Sequence, residues 1–334
     1  MSRSELKQVS KLMIMPEDGV DSVAGLIQGA GSSVLIKMFT FDSPAVLAAV
    51  KAAQGRGLAV RVMLNPQRSS GTRANDATME ALRAAGVEVR WTSPHFAVTH
   101  EKSMVIDGRL ALIATFNFMD KYFTRTRDYG LVTEDPAVVA QVSACFEADW
   151  QQQSYTLPDA SPLLLRNANS RVAMARFIDD ARHTLLVQHP KYSDLGIVDR
   201  LLAARDRGVS IHVLCGGKHG ISASDMMDTF SALRCLARAG AHVRQQHGLR
   251  LHAKLLLADG ERALVGSQNI DRSAFDLRRE LGVVVRDRHA VAQLRRRFDA
   301  DWDEAHHYEA PDPMLLHLAT AVDQLPSDPD LDHE

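Results

Sequence analysis

The sequence predicts an α/β protein built as two similar α-β-α sandwich domains, related by a pseudo-twofold axis with the active site at their interface. Two observations carry the prediction. Short apolar runs alternate with segments of helical apolar spacing, the pattern of a sheet covered by helices. The alternation then occurs a second time in the same order, with polar residues repeating at a constant offset of 152 positions.

In the first half, Gly31 to Phe41 reads as a helix end followed by a buried strand through Val34-Leu35-Ile36 and Met38-Phe39. Pro44 to Gln54 has helical spacing and stops at Gly55-Arg56-Gly57. Val60 to Leu64 is a second strand, closed by Asn65-Pro66, and a polar loop with the cations Arg68 and Arg73 follows. Met79 to Ala85 is helical, Gly86 ends it, and Val87 to Trp91 is a further strand. The second half retraces this path through Thr184–Gln188, Ile197–Ala204, Ile211–Leu214, the loop Gly216-Gly217-Lys218-His219-Gly220, Leu233–Ala239 and His242–Arg244. Both halves close on similar helices, Phe146-Glu147-Ala148-Asp149-Trp150 and Phe298-Asp299-Ala300-Asp301-Trp302. A unit this long is a domain, because solenoid repeats run only ~20–50 residues. The expected division is a first domain over 1–150, a connector over 151–169, a second domain over 170–307 and an acidic tail over 308–334, with a short helix at Met314–Val322.

Composition narrows the class. At 46% apolar and 24% charged residues the 334-residue chain reads as a globular protein. Met1 to Gly19 does not read as a signal peptide, and no stretch approaches the ~18 apolar residues needed to span a bilayer. Cytoplasmic placement is expected, peripheral to the inner face of the membrane. Cys145, Cys215 and Cys235 lack a disulfide or metal-ligand spacing and read as buried small hydrophobes. The net charge of −2 conceals an asymmetry: eleven acids and no Lys or Arg lie from Asp299 onward, leaving 39 basic against 30 acidic residues in 1–298. That balance suits an anionic partner.

Both halves carry the spacing H-x-K, four residues, D, nine residues, N: His100, Lys102, Asp107 and Asn117, then His252, Lys254, Asp259 and Asn269. Four fixed residue types arise by chance in a chain of this length with a probability of roughly 0.002, and two copies at one offset are far rarer. On a strand, His and Lys two apart share a face. Two such halves brought face to face present two imidazoles and two ammoniums, which suits a phosphodiester. Lys and Asn would hold the non-bridging oxygens. One neutral His would attack phosphorus while the other, protonated, donates to the leaving oxygen, and a carboxylate is expected to orient each ring. Asp107-Gly108 and Asp259-Gly260 also read as hairpin turns. The remaining histidines, His189, His219 and His247 among them, read as surface or loop residues, with His219 best placed for the rim of the site.

These residues resemble the phospholipase D superfamily, the HKD proteins, over nearly all of 20–305. The resemblance implies one metal-independent site formed by His100, Lys102 and Asp107 with His252, Lys254 and Asp259, acting through a phosphohistidine and needing no cofactor. Gly266-Ser267-Gln268-Asn269 matches the Gly-Ser-x-Asn that follows the family motif. The first half departs from it with Ala114-Thr115-Phe116-Asn117, where the hydroxyl of Thr115 stands in for that of Ser267. The family places an acid eleven residues beyond Asn that pairs with the opposite half's His. Here it is Glu280 in the second half and the shorter Asp128 in the first, expected to reach its histidine less closely.

The build looks most like the two-motif bacterial cardiolipin synthase and phospholipase D group. That implies a phospholipid substrate met at a membrane surface, with hydrolysis or phosphatidyl transfer as the reaction. A nucleic-acid phosphodiesterase is the alternative, served by Arg68, Arg73 and the basic balance. A binding module without turnover is a third reading, opposed by two intact motifs. The aromatic stretch Phe116 to Phe123 would line an acyl-tolerant entrance, pack in the core, or stack on single-stranded nucleic acid.

Overall fold

The computed structural model describes residues 5–217, 221 and 223–312, apart from the side chains of 166–168 and 223–224. Two eight-stranded mixed sheets dominate it. The first runs Lys11–Met15, Thr126–Thr133, Leu110–Ala114, Lys102–Ile106, Ser33–Met38, Ala59–Leu64 and Glu88–Trp91, with Arg250–Leu251 of the second half added beside Thr126. The second runs His306–His307, His242–Gln245, Ser210–Cys215, Thr184–Gln188, Leu255–Ala258, Arg262–Gly266, Leu281–Val285 and Leu163–Leu165. The central strands of the two sheets follow one order, so the duplication read from the sequence is a duplication of fold.

The strands are apolar on both faces because both faces are covered. Val34, Ile36, Met104, Leu112 and Ala114 enter an outer core under the helices Asp21–Gln28 and Pro44–Gly55. Leu35, Val105, Ala111 and Ile113 point the other way, into a core shared with Leu186, Leu257, Val265 and Val283 of the second sheet. Helices Pro136–Trp150 and Arg288–Glu304 fill this shared layer through Val142, Phe146, Leu294 and Phe298. The two halves are therefore joined by a common apolar core as well as by the chain. Asp135 and Asp287 start these two helices by accepting from the backbone N–H groups of their first turns.

Several expectations change. Lys11–Met15, one of the short apolar runs of the amino-terminal segment, is an edge strand antiparallel to Thr126–Thr133, and Leu6 bridges across to Val285. Leu163–Leu165, placed in the 151–169 connector, pairs with Leu281–Val283, and a helix begins at Arg166. Three leucines are too few to show a period, so a strand of this length leaves no pattern to read. Cys145 and Cys215 are buried as expected, but Cys235 is exposed on helix Ala223–Arg238. The helix at 314–322 and the acidic tail from 313 onward lie outside the described residues, as does His219.

Candidate active site

The two motif histidines sit where the chain crosses between sheets. Val98–Thr99 runs parallel to Arg278–Arg279 of the other half; His100 and Glu101 follow, and Lys102 then enters the first sheet. Arg250–Leu251 likewise runs parallel to Thr126–Arg127 of the other half, His252 to Lys254 follow, and Leu255 enters the second sheet. His and Lys are thus not on one continuous strand, as their spacing suggests. Each His lies in a break whose backbone is fixed by the opposite half. His100 N donates to Arg279 O at 2.8 Å, and His252 N donates to Arg127 O at 3.2 Å.

The residue after each of those arginines is the acid. Glu280 meets His100 Nδ1 with both carboxylate oxygens, at 3.0 and 3.1 Å. Asp128 Oδ1 meets His252 Nδ1 at 2.7 Å. The exchange across the halves is reciprocal, and Asp128 comes closer to its ring than Glu280 does, contrary to expectation. Its shorter arm is compensated by the backbone bonds that draw His252 onto Arg127. Asp128, Glu280, His100 and His252 are all buried.

Thr115 and Ser267 serve the acids. Thr115 Oγ1 donates to Asp128 Oδ1 at 2.6 Å and accepts from Tyr129 N at 2.8 Å. Ser267 Oγ donates to Glu280 Oε2 at 2.5 Å and accepts from Leu281 N at 3.0 Å. Two hydroxyl types do one job, which is why Thr replaces Ser. The preceding glycine is needed only in the second half. A Cβ on Gly266 would stand 2.4 Å from Gly282 Cα and 2.7 Å from Leu281 O, whereas Ala114 already carries its Cβ opposite Gly130.

Lys102 Nζ donates to His100 O at 2.6 Å. Lys254 Nζ lies 2.7 Å from His252 Nε2. An ammonium donating there places the His252 ring proton on Nδ1, facing Asp128. Asn117 and Asn269 are fully buried, and the amide of Asn269 makes no hydrogen bond among the described residues.

Asp107 and Asp259, expected among the catalytic residues, are not brought to this site. Each follows its motif strand at the end remote from the histidine. Asp107 and Gly108 have φ of 55° and 61°, and Asp259 and Gly260 have 56° and 67°, the left-handed pair of a type I′ hairpin. The Asp107 carboxylate accepts from the N–H groups of Gly31, Ser32 and Ser33 at 2.7–2.9 Å. Burial works to raise its pKa, but those donors and the Ser32 hydroxyl outweigh it and hold the group at about 2. Asp259 grips Arg182, His183 and Thr184 in the same way. Both are structural brackets between a hairpin and the neighbouring strand.

Sequence reasoning missed the charges behind the site. Arg279 Nε pairs with Asp149 of the first half at 2.9 Å, and Arg127 Nε pairs with Asp301 of the second at 2.9 Å. The repeated Phe-x-Ala-Asp-Trp ends were the signal, since Asp149 and Asp301 stand in them 152 apart. Lys37 Nζ adds a 3.1 Å pair to Glu101 and a 2.5 Å pair to Asp149, and its pKa is raised. Burial opposes that rise; the surrounding anionic partners outweigh it. Glu101, Cys145 and Asp149 form the one cluster of potential metal-ligating groups among the described residues, and the Lys37 ammonium lies in contact with all three. His189 was also missed. It is fully buried, and burial, with the charge of Lys254, pushes its pKa down to about 3, so the ring stays neutral.

Features that favoured nucleic acid fare less well. Arg73 is paired with Asp76 at 2.7 Å. Phe116, Phe118, Tyr122 and Phe123 are buried rather than lining an entrance, and Tyr122 packs on the His252 ring with centroids 4.7 Å apart.

The family described as "Cardiolipin synthase, PLD-like domain" matches residues 23–150 and 174–302, once for each half. The chain belongs to this family. Cardiolipin synthase A of Pseudomonas entomophila is 26% identical over 92% of the chain and 71% of its own length. Cardiolipin synthase 1 of Staphylococcus epidermidis is 23% identical over 84% of the chain and 64% of its own length. Among solved structures, phosphatidylserine synthase of Haemophilus influenzae superposes with a TM-score of 0.70 at 13% identity, covering 95% of this chain and 94% of that one. Polyphosphate kinase of Porphyromonas gingivalis gives 0.68 at 18% identity, covering 87% of this chain but 50% of that one. At such identities the superpositions speak for the fold. No helix among the described residues is long and apolar enough to cross a membrane.

Proposed function

We propose that this phospholipase D-type phosphatidyltransferase of the cardiolipin synthase-like family acts on phospholipid at a membrane surface, through a phosphohistidine and without a metal. The observation that carries the reading is the reciprocal exchange of acids: each histidine is held at Nδ1 by a carboxylate of the other half. Nε2 is then the reacting atom on each ring, and at His252 the substrate takes the place of the Lys254 contact. One Nε2 attacks phosphorus, forming an N–P bond as the bond to the leaving alcohol oxygen breaks. The second histidine supplies the proton to that oxygen. An acceptor hydroxyl then attacks phosphorus, the N–P bond breaks, and the acceptor's proton passes to the second histidine. Lys102, Lys254, Asn117 and Asn269 bind the non-bridging oxygens, where negative charge grows in the transition state. Asp128 and Glu280 keep the rings oriented and stabilise their cationic forms. Thr115 and Ser267 hold those acids in place.

The deciding experiment gives the purified protein phosphatidylglycerol vesicles and, in parallel, single- and double-stranded DNA, all in EDTA. Lipid turnover in chelator is expected, with a phosphohistidine mapping to His100 or His252 by mass spectrometry. DNA cleavage without lipid turnover, or a rate abolished by EDTA, overturns the reading.

A further inference from the structure

A cavity of about 850 Å³ lies between the halves and has no part in the steps above. Ser70 and Val98 of the first half line it together with Lys191, Asp225, Asp271 and Arg278 of the second. These residues are close neighbours of the reacting groups along the chain. Val98 and Arg278 are partners in the parallel pair that continues, two residues on, to His100 and Glu280. Asp271 lies two residues beyond Asn269, and Lys191 two beyond His189, whose ring feels the charge of Lys254.

The lining is charged but balanced: four aspartates face three arginines and one lysine. Such a wall does not select a strongly anionic ligand. Most of its charges are satisfied internally, Lys191 by Asp225 at 3.1 Å and Arg171 by Asp194 at 3.0 Å. Asp271 differs. Its Oδ1 starts helix Arg272–Asp276, accepting from Ala274 N and Ser273 Oγ at 2.7 Å each. Its Oδ2 makes no hydrogen bond among the described residues, and the ion pair with Arg278 stands off at 3.6 Å. Burial tends to raise its pKa, but Arg278 and Lys191 outweigh that and lower it, so the group is a carboxylate at neutral pH. Asp271 is only 2% exposed, and a buried carboxylate oxygen with an ion pair at 3.6 Å but no hydrogen bond is a costly arrangement unless a ligand brings a donor.

We propose that this cavity is the subsite for the phosphatidyl acceptor, and that Asp271 Oδ2 selects acceptors carrying a second donor group, a hydroxyl or an ammonium, beside the reacting hydroxyl. The inference rests on the transfer reaction proposed above. In the second step the reacting hydroxyl forms its O–P bond as the N–P bond breaks, and its proton passes to the second histidine. Asp271 exchanges no proton. It holds the neighbouring group and so favours a bifunctional alcohol over a plain one, as sites built around a hydrogen bond do.

The test measures how the released phosphatidyl group partitions between acceptors. Wild-type protein and Asp271→Asn are given phosphatidylcholine vesicles with glycerol, ethanolamine or 1-propanol at equal concentration. Asparagine caps a helix as well as aspartate does, so the turn at 271 is retained. Asp271→Ser keeps a capping oxygen by a second route should the asparagine variant fold poorly. The wild type is expected to transfer to glycerol or ethanolamine in preference to 1-propanol, and the variants to lose that preference about tenfold. Preference for glycerol alone assigns the second group as hydroxyl, and for ethanolamine alone as ammonium; either supports the subsite. Equal transfer to all three by the wild type, or an unchanged ratio in both variants, overturns it. Phosphatidyl release to water alone overturns the subsite and leaves the phosphohistidine chemistry standing. No release at all overturns both.

Discussion

At one histidine, Glu280 reaches across from the second half and takes the ring with both oxygens; at the other, Asp128 reaches from the first half and takes it with one. The free oxygen of Asp128 is held by Thr126 at 2.5 Å. Behind these contacts the halves diverge further. Arg279 and Asp149 lie in a buried group that includes Lys37 and Glu101, whereas Arg127 and Asp301 have Gln188 and Ala253 in the corresponding places, with Glu17 as a further partner of Arg127. What survived duplication is therefore the contact, a carboxylate on Nδ1 backed by an arginine clamp, while the residues that make it drifted. The two rings consequently stand in unequal electrostatic surroundings, as expected of two groups with different tasks in one reaction.

The sharpest way to break this comparison is to remove either ring. His100→Ala and His252→Ala should each lower turnover by about 10³-fold or more, because they act as one unit. Substantial turnover of phosphatidylglycerol by either variant would show that the halves work separately. The acids come next. Asp128→Asn and Glu280→Gln are each expected to lower kcat by roughly 10²–10⁴-fold with little change in KM, since they act on the ring rather than on substrate. An equal fall in kcat and rise in KM would place them on the substrate instead.

The glycine difference separates the halves by stability. Gly266→Ala forces a Cβ against the Gly282 backbone and should cost about 1–3 kcal/mol of stability. Ala114→Gly should cost under ~1 kcal/mol. Thermal melts compare the two, and equal shifts would mean that the strands separate more readily than the close approach implies.

The smallest effect tests the brackets. Asp107→Asn should leave activity nearly intact and lower the melting temperature at pH 7. The sign follows from the depressed folded pKa of about 2. A carboxylate held below its unfolded value of ~3.9 stabilises the fold above that pH and loses the effect as pH falls toward 2. The gap between wild type and variant should therefore narrow in acid. A gap independent of pH would show that the charge of Asp107 does not hold the bracket, and loss of turnover would restore the residue to the chemistry.

How much of this was legible depended on whether a residue's reason lay near it in sequence. His100, Lys102, His252 and Lys254 announced themselves by a repeated spacing, and Glu280 and Asp128 followed from the family resemblance. The turn at Asp107-Gly108 was readable because left-handed backbone favours that dipeptide. The role of Asp107 in tying down residues 31–33 was not, because its partners lie more than seventy positions away. Arg279, Lys37 and Glu101 were illegible for the same reason, and Asp149 showed only as part of a repeated helix end. Buried charges look like surface charges until a fold brings their partners together. His189 was hidden likewise, since nothing in its own neighbourhood says that a sheet will close over it.

The parallel segments Val98–Thr99 with Arg278–Arg279 and Arg250–Leu251 with Thr126–Arg127 have one more consequence. Each half completes the other's histidine, so the protein is in effect a dimer written on a single chain. In a dimer of identical subunits every substitution appears twice, and neither ring can change its surroundings without the other. Tethering the copies in one gene removes that restriction. Ala253 could appear opposite Glu101, and Gln188 opposite Lys37, without disturbing the partner. Here symmetry supplies the architecture of the site, and the covalent link lets its two sides specialise.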